Sequence, residues 1–191
     1  MQRAIMEGNK FTGMTTMQMA KGLDTGDMLE TAEVEITDSD NFETIHDKLA
    51  AVGADLMLST LAGLEAGTIT PVKQDDSLAT YAAKIEKADC LLDFTKSARE
   101  LHDQIRGLSP MPLAFTKLNG KLLKIVTSKV SNDNSAQAPG TVLSIDKGII
   151  AVATANGTLQ ITEVLPEGKG RMSATAFVNG KKIAVGDVLG K

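Results

Sequence analysis

The chain has 191 residues and a mass of 20.1 kDa, with 42% hydrophobic and 23% charged residues, a globular mix that excludes an extended disordered polymer. Its single cysteine, Cys90, excludes an internal disulfide, and with only two histidines no Cys/His spacing suits zinc. The net charge of -4 is split: residues 1–83 carry 5 Lys/Arg against 14 Asp/Glu, a balance of −9, whereas residues 84–191 carry 15 against 10, a balance of +5. That division, in a chain long enough for one domain or two small ones, reads as two units, the second suited to a polyanion. Aromatic residues are 3%, with no Trp, so contacts to phosphates or duplex shape are expected rather than a base-stacking platform. No stretch reads as a membrane span, because Asp55 interrupts the most apolar region, Ala54 to Leu64, and no apolar run follows Arg3 as a signal peptide requires. A soluble, cytoplasmic protein with no membrane partner is expected.

The front half opens on Gln2–Met6, read as the last turns of a helix closed by Gly8. Thr12 to Met19 reads as a strand with Met17 and Met19 on one face. Gly22-Leu23-Asp24-Thr25-Gly26 is a loop with two glycines. Met28 to Ile36 alternates, with Ala32, Val34 and Ile36 on one face and Glu33 and Glu35 on the other, the pattern of a half-buried strand. Thr37-Asp38-Ser39-Asp40 offers several N-caps for a long helix ending at Gly67, with Phe42, Ile45, Leu49, Val52, Leu56 and Leu64 as its apolar stripe. A single hairpin is little for such a helix to pack on, so part of its apolar face is expected to stay exposed. From Thr68 the periodicity lapses, and residues 68–86 read as a linker in which Leu78 to Lys87 is either a short helix or an extended connector.

The back half opens on a capping-box pattern, Ser97-Ala98-Arg99-Glu100, ahead of a helix striped by Ala98, Leu101, Ile105 and Leu108 and stopped by Pro110 and Pro112. Turn signals at Asn119-Gly120, Asp146-Lys147-Gly148 and Asn156-Gly157 separate the expected strands Leu122–Val130, Thr141–Ile145, Ile149–Thr154 and Thr158–Leu165, and Val185 to Leu189 is expected to close the set. Short strands at regular spacing behind a lone helix fit a small antiparallel barrel.

Few residues announce chemistry. His46 reads as a surface residue, His102 lies off the apolar stripe, and Cys90 reads as a small buried hydrophobe. No Walker loop, G-x-G-x-x-G, nucleophile elbow or metal motif is present. What remains is Asp24, a carboxylate on a loop whose flanking glycines let a ligand reach the backbone. By pattern alone that loop reads first as a long hairpin turn, where Gly, Asp and Thr are expected anyway.

The wording of the sequence carries more. Gln2-Arg3-Ala4-Ile5, Thr12-Gly13 followed by Met17-Gln18-Met19, and Gly22 to Met28 (GLDTGDM) closely resemble the later part of the catalytic domain of methionyl-tRNA formyltransferases. The likeness continues through Thr80-Tyr81-Ala82-Ala83-Lys84, Ile105 to Pro112 (IRGLSPMP), Asn119-Gly120-Lys121, Ala138 to Thr141 and Met172-Ser173-Ala174, in the family's order and over nearly the whole chain. Phe94 and Met111 depart from it, standing where the family often has tryptophan, a change of packing. The resemblance implies an α+β chain: residues 1–67 as the incomplete end of an α/β, Rossmann-like formyltransferase domain, 68–86 as linker, and 87–191 as a C-terminal OB-like barrel with one N-terminal helix.

It also implies formyl transfer from 10-formyltetrahydrofolate, without a metal, to the amino group of initiator methionyl-tRNA, with no DNA partner. Asp24 matches the third member of the family's Asn, His and Asp trio, and Gly22, Leu23 and Thr25 match its folate-side loop. The C-terminal domain of the family binds tRNA, which agrees with the basic balance of the back half. Lys84, Lys87, Arg106, Lys121, Lys124, Lys169, Arg171, Lys181 and Lys182 are the phosphate-contact candidates, Arg106 having also a structural alternative as partner of Asp103. The Asn-x-His motif is absent from the sequence, so the chain looks truncated or internally started and is expected to be inactive alone, since such a trio acts as a unit. The family enzyme is expected to be monomeric and this chain to self-associate through exposed core. Two other readings are a non-catalytic RNA-binding fragment and a related formyltransferase that acts on an amino sugar nucleotide or hydrolyses formylfolate.

Overall fold

The computed structural model describes residues 1–180 and 182–190. Its contacts divide into two units: residues 9–83, with Met1, and residues 84–191 together with Gln2–Gly8.

In the first unit β1 (Phe11–Met17) pairs antiparallel with β2 (Met28–Glu35), Phe11 opposite Glu35 and Met14 opposite Ala32. The alternation read from the sequence holds: Val34 and Ile36 are buried and Glu33 and Glu35 exposed. On β1 the expected methionine face does not form. Thr16 is the buried residue, and Met19 lies beyond the strand, exposed. α2 (Phe42–Ala66) packs on both strands. Its cap is Asn41, not one of the four preceding residues: the Asn41 side chain accepts from the Thr44 amide, and the Thr44 hydroxyl accepts from the Asn41 amide. Asp40 turns inward instead, where its carboxylate accepts from the Thr37 amide and hydroxyl, the Thr44 hydroxyl and Lys48 Nζ, at 2.7 to 2.9 Å. Burial pushes the Asp40 carboxyl up, but the hydrogen bonds from Lys48, Thr37 and Thr44 outweigh it and hold the pKa at about 2.

Only part of the α2 stripe is covered. Ile45 and Leu49 are buried, Phe42, Val52 and Leu56 are half-buried and Leu64 is exposed, while Met57, Leu58 and Leu61, outside the stripe, stand exposed as well. At mid-helix the contact is polar: the buried Thr60 hydroxyl lies 2.6 Å from Glu30 Oε2 and 2.8 Å from Thr16 Oγ1. By length and composition α2 is the one helix among the described residues long and apolar enough to cross a membrane, a property the sequence reading denied this region. The ion pair and hydrogen bonds that seat its start and middle on polar partners give it a place in a folded unit. α2 ends as expected at Gly67, whose φ of 69° a side chain would strain. The chain then turns back, and Val72 exchanges two 2.8 Å hydrogen bonds with Met28 at the start of β2.

The second unit is built on α3 (Ala98–Leu108), capped by Ser97 and Glu100 as the sequence foretells. Ala98, Leu101, Ile105 and Leu108 are fully buried, and His102, Asp103, Gln104 and Arg106 are buried too; His102 faces Ser128 of the sheet, and a second helix lies against another side of α3. That helix is α1 (Gln2–Met6), which the sequence groups with the front half. Gly107 is what lets it approach: a Cβ there would stand 2.6 Å from Met6 Cγ and 3.1 Å from the Gln2 carbonyl oxygen. Arg3 adds an ion pair with Asp89 at 2.8 Å, and Gln104 donates to the Asp89 and Leu91 carbonyls.

α3 covers an antiparallel sheet of β3 (Ala114–Leu118), β4 (Lys121–Ser131), β5 (Val142–Asp146), β6 (Ile149–Ala153), β7 (Thr158–Pro166) and the two-residue β8 (Met172–Ser173). Their order is β3-β4-β7-β6-β5, with β8 on β7. Asn119-Gly120 and Lys147-Gly148 turn with both residues at positive φ, the geometry of two-residue hairpins. β3 and the short α4 (Ala174–Asn179) have no counterpart among the elements expected from the sequence. Val185 to Leu189 forms no regular strand. Residues 186–190 instead run between the two sheet edges, bonding Gly140 and Val142 ahead of and within β5 and Lys117 on β3, so the sheet closes on a strap of irregular backbone. Phe94 is buried in this core while Met111 is 70% exposed, so packing accounts for the first departure from tryptophan and not the second.

Candidate functional site

The loop between β1 and β2 is the centre of interest in the first unit. Its base is closed by the Gln18 amide donating to the Asp27 carbonyl at 2.9 Å. Gly26 is buried there, and a Cβ on it would fall 1.6 Å from the Gln18 carbonyl oxygen, so no other residue fits. Above that base Lys21 to Thr25 are exposed, Leu23 at 86%. Asp24 has φ +51°, a left-handed conformation that Asp tolerates better than most residues. Its carboxylate is exposed and accepts no hydrogen bond from the described residues. The structure thus brings the four predicted loop residues, Gly22, Leu23, Asp24 and Thr25, into one solvent-facing turn with open backbone. A flat ligand could lie along that backbone, and the carboxylate is available to balance an adjacent positive charge. Sequence reading missed Gln74. From the segment taken as linker, its side-chain amide reaches the Asp24 carbonyl at 2.9 Å and the Gly26 carbonyl at 2.6 Å. No local signal marks it, since the contact spans 48 to 50 residues.

In the second unit the basic candidates fall into three groups. Lys121, Lys169 and Lys182 rim a hollow of about 350 Å³ floored by Leu118, Leu123 and Phe177, with Glu167 among them. Lys87 and Lys124 border a second hollow of about 430 Å³ beside Phe115 and Cys90. Leu122 lines both, so these five lysines cluster about the start of β4. None of them forms an ion pair with a described residue. Lys84 is exposed, apart from both hollows. Lys181 lies outside the described residues.

Two arginines do not fit the expectation. Arg106 is buried, its Nε 2.7 Å from Asp103 Oδ1, both side chains under a tenth exposed. It is the buried partner of Asp103, the structural alternative left open above, because a buried carboxylate needs a buried cation. Arg171 is exposed but holds Glu163 through two bonds, Nε to Oε1 at 2.5 Å and Nη2 to Oε2 at 2.6 Å, so its charge is largely neutralised.

The remaining reactive types are structural. His102 is buried with Nδ1 3.0 Å from the Ser128 hydroxyl, and exposed His46 pairs with Asp47. Cys90 is buried; burial, and then the neighbouring Asp89 charge, push its thiol pKa up, which leaves little thiolate for nucleophilic chemistry. Among the described residues no cluster of three or more His, Cys, Asp or Glu could hold a metal ion.

The chain is 47% identical over 188 residues to the methionyl-tRNA formyltransferase of Bacillus subtilis, an alignment covering 98% of this chain and 59% of the relative. The enzyme of the same name from Lachnospira eligens is 43% identical over 196 residues, covering all of this chain and 62% of its own. The chain therefore spans about 60% of the length of the curated relatives it matches. In fold it is similar to HypX from Aquifex aeolicus, solved in complex with tetrahydrofolic acid, with a TM-score of 0.70, 18% identity, and coverage of 96% of this chain and 33% of that one. Residues 84–182 match the family described as formyl transferase, C-terminal domain, and residues 1–61 the family described as formyl transferase. With both matches in chain order and together covering most of its length, the chain belongs to the formyl transferase family.

Proposed function

We propose that the chain serves in formyl transfer from 10-formyltetrahydrofolate to the amino group of initiator methionyl-tRNA, in the cytoplasm, its first unit contributing Asp24 to the reaction and its second holding the tRNA. The observation that carries this reading is 47% identity across 98% of the chain to a methionyl-tRNA formyltransferase. The donor supplies an electrophilic formyl carbon. Gly22, Leu23 and Thr25 suit it as one wall, because their exposed backbone makes no hydrogen bond with other described residues. Asp24, unpaired and solvent-facing, would orient and charge-balance a protonated histidine and take part in removing the proton lost as the amine is acylated. That histidine and an oxyanion-stabilising asparagine are the partners the family resemblance implies, and the Asn-x-His motif carrying them is absent from this sequence. The chain alone is therefore expected to give no turnover. Adding the upstream segment of a close relative is expected to restore it, and turnover by the 191-residue chain alone would contradict this assignment of roles.

The tRNA half of the proposal rests on the unpaired lysines about the start of β4. Each lysine that meets a phosphate lowers the salt slope of tRNA binding by about 1 when changed to alanine. Lys87→Ala, Lys121→Ala, Lys124→Ala, Lys169→Ala and Lys182→Ala measured across a salt series test this, and an unchanged slope in all five would remove the basic face from the tRNA interface. The amino sugar nucleotide alternative needs no such face, since its substrate carries a single diphosphate.

A further inference from the structure

The β1–β2 loop that carries Asp24 is held in a way its own residues do not explain. Among the described residues, the hydrogen bonds that reach residues 19–26 are the two from Gln74, to the carbonyls of Asp24 and Gly26 at 2.9 and 2.6 Å. Everything else at the loop top is exposed. An isolated exposed turn with a non-glycine residue at φ +51° would sample other conformations readily. Gln74 is itself placed by backbone. Val72, two residues earlier, exchanges both its hydrogen bonds with Met28, which closely follows the loop, and an extended chain turns residues two apart to the same side. Between Thr70 and Lys84, Gln74 is the one residue that is not exposed.

We propose that Gln74 is the positioning residue for Asp24: one side-chain amide nitrogen, using both of its hydrogens, ties the carbonyls on either side of Thr25 and so fixes the direction of the Asp24 carboxylate. This rests on the catalytic reading of Asp24 given above, and it adds to that reading a residue that follows α2 in the chain. Glutamine is suited to the task because its amide offers two donors on one atom, matched to two acceptors. A glutamate of the same shape would place a carboxylate against two carbonyl oxygens and push the loop open; once protonated it offers a single O–H donor and restores part of the tie.

The test uses the 191-residue chain and NMR. The wild type is expected to show through-hydrogen-bond couplings from Gln74 Nε2 to the Asp24 and Gly26 carbonyls, with backbone order parameters at residues 24–26 near the rigid value of about 0.85. Gln74→Ala is expected to drop those order parameters below about 0.6, while the amides of β1, β2 and α2 keep their shifts. Gln74→Glu is expected to be as loose as Gln74→Ala at neutral pH and to regain order as the pH falls through the glutamate range, a response that mere loss of packing would not give. Unchanged order in Gln74→Ala, or a Gln74→Glu loop indifferent to pH, would overturn the proposal. Asp24→Asn separates the two readings: it is expected to leave the Gln74 couplings intact, so any effect on formyl transfer in the supplemented enzyme bears on the catalytic role of Asp24 alone.

Discussion

Replacing Arg106 by alanine distinguishes an interior ion pair from a tRNA contact. In the structure Arg106 Nε lies 2.7 Å from Asp103 Oδ1, with 8% and 5% of the two side chains exposed. The substitution leaves the Asp103 carboxylate buried with Arg99, 3.7 Å away and 48% exposed, as its remaining cationic neighbour. Removing one partner of a buried pair costs about 3–5 kcal/mol because the other charge stays desolvated, and the distant Arg99 keeps the expected loss near the lower figure. For a domain of about 100 residues, 3 kcal/mol corresponds to a fall in midpoint temperature of about 12–24 °C. The assay is thermal unfolding followed by a probe in the second unit, since two units need not unfold together. Replacing both partners by apolar residues, Arg106→Met with Asp103→Leu, is expected to recover most of the loss. Below its midpoint the Arg106→Ala protein should show the wild-type salt slope for tRNA. A variant with unaltered stability and a slope reduced by about 1 would place Arg106 on a phosphate and refute the burial argument.

Three further outcomes follow from the first unit. Asp40 titrates at about 2 in the fold against 3.8 for a free side chain; a depressed carboxyl stabilises above its unfolded pKa, so about 2 kcal/mol of stability should vanish as pH falls from about 4 toward 2, and Asp40→Asn should flatten that part of the profile in acid unfolding. Gly26→Ala puts a methyl 1.6 Å from a backbone oxygen, so the loop base must open at a cost at or above about 1–3 kcal/mol, seen as faster exchange of the Gln18 amide that bonds Asp27; protection equal to wild type would contradict the close approach of those two backbone segments. Leu58→Glu with Leu61→Glu alters two exposed side chains of α2, so the first unit's stability should change by less than about 0.5 kcal/mol while any self-association measured by sedimentation falls; association unaffected by both charges would exclude that face.

Local rules made much of the chain legible before folding. Alternation in β2, the Ser97–Glu100 cap, the α3 stripe, Gly67 as a helix end and the two-residue turns all depend on neighbours within a few residues, where period and backbone conformation decide the outcome. The loop around Asp24 was visible for the same reason, though its chemical meaning came from resemblance and not from pattern. What escaped was long-range. Arg106 reads either as a phosphate contact or as a partner of Asp103 until the fold buries both side chains, and α1 lies against α3 because Gly107 leaves room for it. Asn41 takes the cap from its acidic neighbours because Asp40 is claimed by Lys48 and two threonines. Gln74 is an ordinary polar residue in a polar stretch until the turn after α2 returns it to the loop. By itself the sequence determined most of the elements, though not β3, α4 or the irregular closing strap, together with the charge division and the family resemblance. Only the tertiary structure decided which cations are buried and which carbonyls are tied, because desolvation and pairing depend on residues far away in the chain.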